Sequence, residues 1–136
     1  MKVRYESFGG IIALKKPAAT VYVDQVFMRE IGYVGSPLWQ TDAACLSAPV
    51  TAHLALTQHC PMGCKMCYST SNTSDPGTEL STDQVKRILD ILAQMQVFTV
   101  AFGGGEPMAR ADLYELARYA RRRGLTPTAT TNGYFV

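Results

Sequence analysis

No stretch of this chain approaches the roughly 18 uninterrupted apolar residues of a membrane-spanning helix. The opening MKVRYESFGG also lacks the apolar core of a secretion signal. Both absences lead to the expectation of a cytoplasmic protein with no membrane partner. Charge of one sign is scarce as well. The net charge of +2 is too small to argue for nucleic acid, and the basic residues are dispersed apart from the run Arg121, Arg122 and Arg123. With 136 residues, 47% of them hydrophobic and 18% charged, the composition fits about one globular domain and excludes a disordered or collagen-like segment.

Cysteine is sparse but unevenly placed. Three of the four, Cys60, Cys64 and Cys67, fall within eight positions of QHCPMGCKMCYS (58–69). Without an export signal, disulfides are not expected, and clustered thiols in a reducing compartment point to metal. The fourth, Cys45, lies fifteen residues upstream and is expected to be a small buried residue, with ligation as the lesser alternative. A cubane iron-sulfur cluster needs one thiolate for each of its four irons. The spacing Cys60-x3-Cys64-x2-Cys67 supplies three, so one iron would stay open to an exogenous chelating molecule, as open positions mark reactive metal sites. Two other readings remain: zinc completed by His53, His59 or Cys45, and an electron-transfer cluster with Cys45 as fourth ligand. The contiguity of the trio counts against zinc, whose structural sites usually join two separated ligand pairs.

Along the chain, GSPLWQTDAACLSAP (35–49) has two prolines and no sustained period, which divides residues 1–49 from 50–136. In the first part FGGIIAL and ATVYVDQ flank KKPA as a two-stranded hairpin. Asp24 caps a short helix carrying Phe27, Met28 and Ile31 and stopped by Gly32. This extension is expected to be too small for a core of its own, and packing is favoured over recognition as its role. The second part alternates strand, loop and helix. Val50 to Gln58 is a strand running into the cysteine loop. Ser81 and Gln84 stand in capping-box spacing before a helix with Val85, Ile88, Leu89, Leu92 and Met95 on one side. Val97 to Phe102 is a strand ending in GGGEP, and Asp112 and Glu115 repeat the cap spacing before a helix ending at the three arginines, where the dipole favours them. Thr126 to Thr131 is a third strand, opening onto Asn132 and Gly133. Parallel strands joined by crossovers follow, buried and apolar on both faces, with three strand ends on one side.

Cys60-x3-Cys64-x2-Cys67 after one strand, GGGEP (Gly103 to Pro107) after the next and TNG (Thr131 to Gly133) after the third resemble the N-terminal half of the radical S-adenosylmethionine (SAM) superfamily core, from about Val50 onward. The resemblance implies an α/β fold, a partial TIM-type (β/α) barrel of which only the first three βα units are present, behind the hairpin-plus-helix extension. It implies a 4Fe-4S cluster on Cys60, Cys64 and Cys67, with the amine and carboxylate of SAM on the fourth iron. Reductive cleavage would then give a 5′-deoxyadenosyl radical that abstracts hydrogen from substrate. Gly104, Gly105, Glu106 and Pro107 match the segment along the methionyl end of SAM. There Glu106 could place a positive group or hold the loop. Thr131 and Asn132 could hydrogen-bond near SAM or substrate, with an Asn-Gly turn as the plainer reading. The family often has an aromatic residue just before the last cysteine, against the adenine. This chain has Met66, which can pack on a purine, and Tyr68 is a further neighbour. An electron donor of the reduced flavodoxin or ferredoxin type and, from CKMCYS and the extension, a peptide substrate are implied. Because the later strands are absent, a truncated product, a fragment or a split enzyme borrowing a complementing C-terminal half is expected, and three strands with an open apolar edge would be unstable alone.

Overall fold

The computed structural model describes residues 1–71 and 79–136. They form two compact units, Met1–Pro49 and Val50–Val136.

The first unit is a three-stranded antiparallel sheet: β1 (Lys2–Glu6), β2 (Gly9–Lys15) and β3 (Ala18–Asp24), followed by helix α1 (Gln25–Glu30). The expected hairpin is β2–β3, paired from Gly9↔Asp24 to Lys15↔Ala18. The sequence reading missed β1. The side chains it buries are charged: Arg4 and Glu6 are 3% and 1% exposed and paired at 2.7 Å. Arg4 also donates to the carbonyls of Ala48 and Pro49, and Glu6 accepts from the Ser47 backbone N–H and hydroxyl. The irregular segment before Val50 is thus fastened to β1 by a satisfied ion pair. Asp24 caps α1 as expected, accepting from Phe27 N at 2.8 Å. Contrary to expectation, the unit has buried apolar side chains, Ile11, Ile12 and Met28, and Cys45 is exposed.

The second unit is a parallel sheet of β4 (Thr51–Thr57), β5 (Thr99–Gly104) and β6 (Thr126–Ala129), in that order, with α2 (Thr82–Gln94) and α3 (Leu113–Arg122) as the crossovers. The Ser81–Gln84 capping box opens α2 in both directions. α2 closes with Gln96 at φ 58°, its neighbour Val97 N bonding back to Leu92 O. α3 closes the same way with Gly124 at φ 79° and Leu125 N on Ala120 O. At the start of α3 the expected side-chain cap is missing. The Asp112 carboxylate is taken instead by Arg110 and by the Thr82 hydroxyl, at 2.6 Å each.

Val85 and Leu89 from α2, Leu113, Leu116 and Ala120 from α3, and Leu56, Val100 and Phe102 from the strands make one apolar core. The sheet is not buried on both faces. Along β4, Ala52, Leu54 and Leu56 turn toward the core while Thr51, His53 and Ala55 are exposed. The register sets Thr99 and Ala101 beside Thr51 and His53, and Thr126 and Thr128 beside these. The uncovered face therefore carries small and polar side chains, a one-sided alternation where continuous hydrophobicity was expected.

Candidate functional site

The site is built where the three strands end. Beyond its ladder, β5 keeps bonding to β4 through the loops: Gly105 N donates to Thr57 O at 2.7 Å and Glu106 N to His59 O at 2.8 Å. Only glycine permits this approach. A Cβ on Gly104, which has φ 115°, would lie 2.2 Å from Thr57 O, and one on Gly105 would lie 2.3 Å from His59 O. Gly103, in contrast, faces open space.

Glu106 is fully buried. Its Oε1 accepts from Met108 N at 2.9 Å and its Oε2 from Asn132 N at 2.7 Å, so one carboxylate ties the loop after β5 to the loop after β6. Burial pushes its pKa up, but the Asn132 and Met108 N–H groups and the Thr131 hydroxyl together outweigh that and hold it below the ordinary value of 4.5. The Asn132 side chain is fixed as well. Its Oδ1 accepts from Tyr134 N at 2.8 Å, and its Nδ2 donates to Cys60 Sγ at 3.4 Å.

At the far end of the cysteine loop, Cys67 Sγ lies 3.4 Å from Ser69 Oγ, which meets Ser71 Oγ at 2.7 Å, and Ser71 donates to Gln58 Oε1 at 3.0 Å. Gly104 O, 3.3 Å from Ser69 Oγ, is an alternative acceptor for that hydroxyl's single proton. The Cys67 thiol is pulled below its ordinary value, first by the Ser69 hydroxyl and then by the backbone N–H groups of Ser71, Ser69 and Thr70, against a smaller opposing effect of burial. The sequence reading missed Ser69, Ser71 and Gln58. The one signal for them was a hydroxyl two residues after a cysteine, a spacing at which serine readily bonds its own neighbourhood. Cys64 is exposed, and Met66 and Tyr68 are 96% and 94% exposed, committed to no core.

A cavity of about 230 Å³ opens on Gly63, Cys64, Lys65, Cys67, Thr70 and Ser71, and a second of about 230 Å³ lies on the uncovered sheet face by His53, Tyr68, Ala101, Gly103 and Thr130. A larger groove by Asp90, Arg122 and Arg123 is remote in kind. Asp90 and Arg123 are paired there at 2.6 Å, and it holds no thiol.

Among the described residues, no three His, Cys, Asp or Glu side chains are grouped closely enough to hold one ion. A cubane takes one thiolate on each iron, and the three cysteines of this loop supply the donor type for three of its irons.

The described site is thus a three-cysteine loop at the carboxyl edge of a parallel α/β sheet. The radical SAM superfamily model matches residues 54–136, and the chain belongs to that family, whose cofactors are a 4Fe-4S cluster and SAM. Mycofactocin maturase MftC of Mycobacterium tuberculosis is 47% identical over 88 residues, 65% of this chain and 22% of that protein. PqqA peptide cyclase of Rhodopseudomonas palustris is 42% identical over 90 residues, 66% of this chain and 24% of that protein. The chain therefore spans about a quarter of the length of these relatives. Its α/β fold is similar to that of Streptococcus suis SuiB bound to S-adenosylmethionine. The TM-score is 0.70 at 18% identity, covering 96% of this chain and 40% of SuiB.

Proposed function

We propose that this chain forms the cluster- and SAM-binding part of a radical SAM enzyme that acts on a peptide. The observation that carries the reading is the meeting of Cys60, the Gly104–Gly105 turn and Asn132 at three adjacent strand ends, tied through Glu106. Cys60, Cys64 and Cys67 would each hold one iron of the cluster. Ser69 and the amides around it favour the thiolate at Cys67 that such ligation requires. Gly104, Gly105, Glu106 and Pro107 would line the methionyl end of SAM, with Thr131 and Asn132 beside them. Met66, free of any core, would pack on the adenine. Bound there, the two cofactors would supply reductive cleavage of the sulfonium and a 5′-deoxyadenosyl radical for hydrogen abstraction. The chain's own part is to fix the three thiolates and hold the neighbouring loops in register.

The three strands would begin a partial (β/α) barrel. The outer edge of β6, which has no strand partner among the described residues, is where the next strand would pair, from the same chain or from a complementing half. A one-electron donor of the flavodoxin or ferredoxin type would be required. Peptide as substrate class rests on the relatives named a maturase and a peptide cyclase.

Anaerobic reconstitution with iron and sulfide, followed by electron paramagnetic resonance of the reduced sample, tests the reading. A cubane signal that changes when SAM is added is the expected result, with Cys45→Ala leaving it intact. Stoichiometric zinc with no cubane signal, or loss of the cluster in Cys45→Ala, would overturn it.

A further inference from the structure

We infer that Asn132 tunes the reduction potential of the cluster by donating its side-chain N–H to the Cys60 thiolate. This rests on the functional reading above. The orientation of the amide is settled by its surroundings. A backbone N–H from Tyr134, 2.8 Å away, must face the amide oxygen, which leaves the NH₂ group turned to Cys60 Sγ at 3.4 Å. Placement is equally constrained, because Asn132 N is anchored to the buried Glu106 at 2.7 Å. A donor held this firmly, 72 residues along the chain from the sulfur it meets, is the kind of contact behind a metal ligand that adjusts metal centres.

Reduction adds negative charge to a cluster and its thiolates. A hydrogen bond to one of the sulfurs therefore stabilises the reduced form more than the oxidised form and raises the potential. Glu106 acts as a positioning residue for Asn132, which in turn acts on Cys60.

The experiment is a potentiometric titration of the reconstituted chain, followed by electron paramagnetic resonance, for the parent, Asn132→Ala and Asn132→Ser. Serine can still accept from Tyr134 N but is too short to replace the amide donor. Both variants should lower the reduced-to-oxidised ratio at fixed applied potential about tenfold, equivalent to about 59 mV for a one-electron couple. An unchanged ratio in both, or parent behaviour restored in Asn132→Ser, overturns the inference. Should the variants not hold the cluster, the parent alone decides. With Asn72→Ser made and asparagine labelled with ¹⁵N in its amide, a nitrogen hyperfine coupling to the reduced cluster supports the bond, and its absence overturns it. Failure of the parent to form any cluster overturns the functional reading and this inference together. A cluster that forms in the parent, with the potential unmoved in the variants, removes only the latter.

Discussion

Both oxygens of the Glu106 carboxylate are engaged by backbone N–H groups, and the side chain is fully buried, so its work is inside the protein. Glu106→Gln keeps the shape but turns an NH₂ group toward one of those two donors. Leaving a buried donor unsatisfied should cost about 1–3 kcal/mol in denaturant unfolding at neutral pH. The same carboxylate also gives a pH signature. Its folded pKa lies below 4.5, so its contribution is complete above that pH and is lost as pH falls through the folded value. The stability gap between parent and Glu106→Gln should therefore close on acidification from about pH 7 to about pH 3. A gap that stays constant across that range would show that ionised Glu106 is not what holds the loops.

At the scale of elements, the glycine run at the end of β5 separates two requirements that look identical as letters. Gly103→Ala meets open space and should change stability by no more than about 0.5 kcal/mol. Gly104→Ala combines φ 115° with a Cβ 2.2 Å from Thr57 O and should lose at least about 1–3 kcal/mol. Thermal melting of the two variants side by side checks this. Equal melting points would mean that the β4–β5 loop contact does not bear on folding. Much of the element order was legible because periodicity and caps agree: the Ser81–Gln84 box opens α2, and Gly124 closes α3. Two ends were not. Gln96 takes a left-handed φ that sequence associates with Gly or Asn, and Asp112 trades its cap for Arg110 and Thr82, partners that only tertiary structure supplies. Likewise the cysteines and GGGEP were conspicuous as spacing, whereas the bonds joining Glu106 to Asn132 and Asn132 to Cys60 span 26 and 72 residues and leave no local pattern.

For the whole molecule, the two units are stabilised by different means. The second has a continuous apolar core, and the first relies in part on a buried ion pair. β1 escaped the sequence reading because alternation assigns Val3 and Tyr5 to the inside of KVRYE, while the fold buries Arg4 and Glu6. Removing one member leaves the other charge uncompensated, so Glu6→Ala should destabilise the first unit by about 3–5 kcal/mol, read by hydrogen exchange of β1 and β2 amides. A loss confined to the second unit would contradict that assignment. Among the described residues no helix is long and apolar enough to cross a membrane. The cysteine loop of this second unit is drawn shut at its neck like a purse: His59 is held by Glu106 where the loop leaves β4, and Ser69 and Ser71 return to Gly104 and Gln58 beside that same point. Cys64, in the middle of the loop, is exposed where Cys60 and Cys67 are half-buried, so of the loop's three sulfurs it is the one most open to an alkylating agent or peroxide.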